Sequence, residues 1–119
     1  MQTANKVSQQ QLPGASGEQI TCLRFNGDIS SASKDAVIGT YQALDKATHQ
    51  KILLDFKGVE YLNSSGIALV IQVLMEANKS GQTIAICGLT PHFTKVFTMV
   101  GITKYASLYS DEAAALAAL

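Results

Sequence analysis

Two adjacent hydroxyls, Ser64 and Ser65, stand between Asn63 and Gly66, where a strand-like run gives way to an apolar helical one. The first N–H groups of a helix have no carbonyl partner one turn back, and the aligned peptide dipoles favour negative charge there. Such a position suits a phosphate, either on a ligand or on the serine itself. The plainer alternative is a helix start whose serines only cap it.

Other side chains could turn those hydroxyls into nucleophiles, but the pattern for it is missing. A catalytic serine needs a base within reach. The strained elbow Gly-x-Ser-x-Gly is absent, because Leu62 stands two residues before Ser64. His49 and His92 are the two imidazoles, and each falls at a helix end or on a helix surface. No Gly-x-x-x-x-Gly-Lys-Ser/Thr loop and no Gly-x-Gly-x-x-Gly occurs. Asp28, Asp55 and Glu60 fall in or near loops without metal-site partners. Cys22 and Cys87 sit in apolar runs without metal-ligand spacing, so they read as buried free thiols of a reducing compartment. The sequence therefore points to no enzyme, no metal and no cofactor.

The elements that must position Ser64 follow from the rest of the chain. Its 119 residues suit one domain, and 47% hydrophobic content is enough for a packed core. Nine basic and nine acidic residues cancel, with no run of like charge. That excludes the basic footprint of a nucleic-acid binder and a polybasic membrane patch. No apolar stretch nears the roughly 20 residues needed to span a bilayer. The polar, Gln-rich start is no signal peptide, so the expected location is cytoplasmic.

Residues 1–5 are expected to be disordered. Residues 6–12 and 19–25 read as an antiparallel hairpin across the turn Pro13-Gly14-Ala15-Ser16-Gly17. Ser30 or Ser31 is placed to cap a helix reaching about Ala47, with Val37, Tyr41, Leu44 and Thr48 on one face. Residues 51–56 form a buried strand, and a helix follows over 64–80, closed by Gly81. Residues 83–87 form a second buried strand. Thr90 and Pro91 open a helix with the apolar face Phe93, Val96, Phe97 and Val100, ended by Gly101. A short strand over 105–108 and an Ala-rich helix over 111–119 complete the chain. Alternating strands and helices predict an α/β fold, with a mixed, mostly parallel sheet, an N-terminal antiparallel hairpin and about four helices.

In the central helix, Ile67, Val70, Ile71 and Leu74 follow the spacing of a core face. Leu69 and Val73 then fall to the side and widen the apolar stripe. Exposed, they form a contact patch beside Ser64; the alternative is that the helix is deeply buried.

The stretch from Asp55 to Ala68, centred on Asn63-Ser64-Ser65-Gly66, resembles the signature of STAS domains. It is most similar to that of the bacterial anti-sigma factor antagonists, whose core reads Asp-Ser-Ser-Gly-Leu-Gly. Gly27-Asp28-Ile29-Ser30 resembles their Gly-Glu-Leu-Asp loop, and residues 88–102 resemble their third helix and its exit. The likeness covers about residues 6–118. It implies a regulatory protein in a partner-switching pathway. In the family, the first serine of the pair is phosphorylated by a serine kinase that is often the anti-sigma factor, and a metal-dependent serine phosphatase reverses this. Carried over, the acceptor is Ser64, and Asp28, Ser30, Asn63, Ser65 and Gly66 join Leu69 and Val73 in the partner surface. Two departures remove negative charge: Asn63 replaces the family's Asp, and Ser30 its other acidic loop residue. They keep a second reading in play, a STAS subunit that is not phosphorylated and binds a nucleotide or serves a transport complex.

Overall fold

The computed structural model describes residues 7–119. The expectation of disorder at 1–5 lies outside the described residues. Five strands form one sheet in the order β1-β2-β3-β4-β5: Val7–Pro13, Gln19–Asn26, Lys51–Gly58, Thr83–Cys87 and Ala106–Tyr109. β1 and β2 form the antiparallel hairpin, and every later pair is parallel. Helices α1 (Lys34–Gln42), α2 (Ser64–Lys79), α3 (Pro91–Met99) and α4 (Glu112–Ala118) complete the chain.

Because each parallel strand is added on the same side of the last, right-handed crossovers place α1, α2 and α3 on one face. The strands alternate to match. Ile52, Leu54 and Phe56 of β3 join Leu23, Phe25, Ile84, Ile86 and residues of the three helices in the main core. Phe56 stacks on Phe25 at 4.6 Å between ring centroids and meets the edge of Phe97 at 5.8 Å. The alternate residues Ile20, Cys22, Leu53, Ala85 and Cys87 face the other way, under α4. Both cysteines are free and buried, as their apolar settings predict.

Two boundaries depart from the sequence reading. Ser30 caps a single 3-10 turn, Ser31–Ser33, so α1 begins only at Lys34. α1 also ends at Gln42 rather than near Ala47. Asp45 is the reason: its side chain accepts the Ala47 N–H at 3.0 Å and its carbonyl accepts that of His49 at 2.9 Å, which holds a turn in place of another helical one. Thr48 is consequently exposed in a loop, while Ile38 takes a place in the core beside Val37 and Tyr41. Among the described residues, no helix is long and apolar enough to cross a membrane.

Candidate functional site

The site is built where β3 runs out and α2 begins. Asn63 is extended, and its Oδ1 accepts the Gly66 N–H at 2.8 Å, which caps α2. Ser64 and Ser65 are the first two residues of the helix, and both are exposed. Their amides lie in the turn that has no carbonyl to bond within the helix. The hydroxyls thus stand on a fixed frame at the positive end of a helix of 16 residues.

A second loop is fastened to this one. Ile29 and Leu62 form an isolated parallel bridge. The Ile29 N–H donates to the Tyr61 carbonyl at 3.1 Å, and the Asn63 N–H donates to the Ile29 carbonyl at 3.3 Å. Gly66 makes the approach possible, since a Cβ there would lie 2.1 Å from the Ile29 carbonyl oxygen. Asp28 and Ser30, which flank Ile29, are thereby brought to the same rim as Asn63, Ser64 and Ser65. Asp28 is exposed. Ser30 is occupied in holding its own loop. Its Oγ accepts the Ala32 N–H at 3.3 Å, and its own N–H donates to Ser33 Oγ at 3.2 Å.

The remaining two predicted surface residues are not at the surface. Leu69 is 7% exposed and Val73 is 2% exposed, and both belong to the main core. The buried stripe of α2 is Gly66, Leu69, Val70, Val73, Leu74 and Ala77. Ile67 and Ile71, expected at its centre, are only partly buried on its flank. The apolar set of this helix admits two phases, and the contact of Gly66 with Ile29 selects one. Residues three, four, seven and eight positions after Gly66 share its face and turn inward with it. The signal was in the sequence, as a glycine in the first turn marks a close approach.

The outward stripe follows from the same phase. Ala68, Ile71 and Met75 stand four, seven and eleven residues after Ser64, with Met75 45% exposed. They line a shallow groove of about 440 Å³ together with Gln72, Glu76 and Lys79. Sequence reasoning missed this strip because it assigned Ile71 to the core.

Neither imidazole is placed as a base for the serines. His49 Nδ1 lies 2.6 Å from Thr21 Oγ1 across β2, and the His92 ring rests edge-on against Phe93 at the start of α3. On the opposite face, Cys22, Asp55 and Glu112 bring potential metal-binding atoms within 4.8 Å of one another. A guanidinium already serves these carboxylates: Arg24 Nη1 lies 2.6 Å from Asp55 and 2.8 Å from Glu112. Burial pushes the Cys22 thiol up to about 11, against the thiolate a metal would need. The trio fits an ion-pair cluster better than a metal centre.

A family described as "Mlab, STAS domain" matches residues 15–110 of the chain. The chain is 24% identical over 101 residues to an anti-sigma F factor antagonist of Paenibacillus polymyxa, covering 84% of this chain and 86% of that protein. Its fold is similar to that of a STAS domain protein from Planctomyces limnophilus, described as an anti-sigma-factor antagonist (TM-score 0.76, 19% identity, 96% of this chain and 97% of that one). It is likewise similar to the Bacillus cell fate determinant SpoIIAA in its phosphorylated form (TM-score 0.64, 18% identity, 90% of this chain and 96% of that one).

Proposed function

The chain belongs to the STAS domain family, and from that membership we propose that it is an anti-sigma factor antagonist in a partner-switching pathway. Unphosphorylated, it binds a serine kinase that doubles as the anti-sigma factor and so frees the kinase's client. Phosphorylation of Ser64 releases it, and a metal-dependent serine phosphatase resets it. It acts in the cytoplasm as a binding module, not as an enzyme, without contacting nucleic acid or membrane.

The observation that carries this reading is the exposed Ser64 hydroxyl on the first residue of α2, held by the Asn63 cap. A phosphoserine carries about −1.5 to −2 charge at pH 7. The helix dipole favours that charge by roughly 0.3–1 kcal/mol at an exposed position, so the free domain tolerates it. A complex that buried the dianion would not. Losing about 3 kcal/mol of binding weakens affinity on the order of 100-fold, which suffices for a switch.

The kinase would meet the rim of Asp28, Ser64 and Ser65 and the adjoining strip of Ala68, Ile71 and Met75. Asn63, Ser30 and Gly66 would serve this surface by holding its shape. Intact mass after incubation with the source cell's serine kinases and ATP tests the assignment. The expected result is a gain of about 80 Da, one phosphoryl group, that is absent from Ser64→Ala. No gain, or a gain that survives the substitution, overturns it.

One observation favours the second reading. Asn63 is neutral and already committed to capping α2, so the loop keeps its shape without the family's carboxylate. That suits an unmodified STAS subunit that binds a nucleotide or serves a transport complex. Heat released on nucleotide titration, with no phosphorylation at Ser64, would support it.

A further inference from the structure

We propose that α4 is a detachable strap which opens while the rest of the fold stays closed, and which controls access to two buried thiols, Cys22 and Cys87. The inference rests on the face of the sheet opposite Ser64 and is independent of the reading given to that serine.

Three features make the attachment of α4 a thin one. It has seven residues, and Ala115 is the one that is fully buried. A helix that short has little stability of its own in water, so its docking must hold it. Leu116 and Leu119 are only partly buried against the sheet. The strand that leads into it, β5, has four residues. Few buried apolar contacts are the mark of segments that open locally below the free energy of global unfolding.

Polar contacts pin the strap at its two ends. At the start, Glu112 accepts from Arg24 at 2.8 Å, with the two side chains 36% and 31% exposed. Arg24 itself is anchored from below, by Asp55 at 2.6 Å and by Gln10 at 3.0 and 3.1 Å. At the far end, Lys51 Nζ donates to the Leu119 carbonyl at 2.8 Å and pairs with Glu18. Ion pairs this exposed hold weakly and are screened by salt.

What the strap covers is reactive once wetted. Cys22 and Cys87 pack in one cluster with Ile20, Leu53, Ala85 and Ala115, and are 0% and 1% exposed. Burial raises both thiols, Cys22 to about 11 and Cys87 to about 12, so the covered sulfurs stay protonated and inert. Opening α4 restores water and ordinary thiol acidity. The thiolate can then attack a disulfide reagent: a protein–reagent S–S bond forms and the reagent's other sulfur leaves as a thiolate.

The test is labelling of the native chain by an aromatic disulfide reagent such as dithionitrobenzoate, read by the coloured thiolate released. Both thiols are expected to react below the unfolding transition, at a rate that depends on urea far less steeply than global unfolding does. Glu112→Gln should speed labelling of both about two- to fivefold, in keeping with loss of one exposed ion pair, and lower global stability by no more than the same small factor. Should that variant not fold, raising the salt on the natural chain tests the same anchor and should also speed labelling. Labelling with the urea slope of global unfolding, or a rate unchanged by both perturbations, overturns the proposal.

Discussion

The two faces of the sheet are covered very differently. Three helices close one of them, and their buried residues interlock with residues of all five strands and a ladder of phenylalanines. Seven residues of α4 cover the other, over a smaller cluster of Ile20, Leu53, Ala85 and two thiols. The Ser64 rim belongs to the first face, where Gly66, Ile29 and Asn63 lock two loops together. The difference teaches that a surface proposed to meet a partner is mounted on the thickly packed side. There, a change of charge can alter recognition without altering the shape being recognised. The thin side is the one on which local opening is proposed.

The largest contrast should come from truncating one large side chain on each face. Phe97→Ala removes a ring that is fully buried against Phe56, and should cost about 3–5 kcal/mol of unfolding free energy. Leu116→Ala, on α4, removes a partly buried chain and should cost about 1 kcal/mol. Urea midpoints at fixed slope measure both. Equal costs would break the contrast between a stiff and a yielding face.

Next in size is Gly66→Ala. The added Cβ meets backbone, not a flexible side-chain tip, so the loop at Ile29 or the start of α2 must move. A cost of about 1–3 kcal/mol is expected. Amide exchange at Ile29 and Asn63 should rise with it, since their hydrogen bonds close this contact. Exchange that stays slow at both would show that the two loops are not joined as described.

A further effect is an alkaline one, and it reports on both faces. Burial pushes the Tyr41 phenol and the Cys87 thiol up to about 12, and the Cys22 thiol up to about 11. The unfolded chain gives up these protons near their ordinary values, while the folded chain keeps them. From about pH 9 upward the unfolded state therefore binds fewer protons, and stability falls as pH rises towards 12. Urea midpoints should be level below about pH 8.5 and decline above it. Tyr41→Phe should remove the share of the thick face and leave that of the thiols.

Much of this was legible in the chain. β4 and the start of α2 stand where the pattern put them, and the Thr90–Pro91 signal opens α3. Gly81 and Gly101 adopt the positive φ that ends a helix, at +75° and +87°. What failed was arbitration between competing local choices. Asp45 offers the backbone a turn, and nothing in the periodicity before it reveals that the turn wins. Leu69 and Val73 against Ile67 and Ile71 is a question of phase, which tertiary contact decides. The fastening of Asp28 and Ser30 to the Ser64 rim depends on a bridge between residues 29 and 62, a pairing no local pattern contains.

The strand order has a consequence for how the molecule assembles. Each strand pairs with the strand that precedes it in the chain, so every pairing closes a connection no longer than one crossover. The hairpin pairing is local, whereas each parallel pairing spans a crossover and forms more slowly, because its loop-closure entropy is lost before its contacts form. Growth can proceed as a zipper from the β1–β2 hairpin, with each new strand laid on an edge that the previous one prepared. The Ser64 rim is complete once β3 and α2 have docked. β5 and α4 lie at the far edge of that order, so neither is needed to close the Ser64 rim.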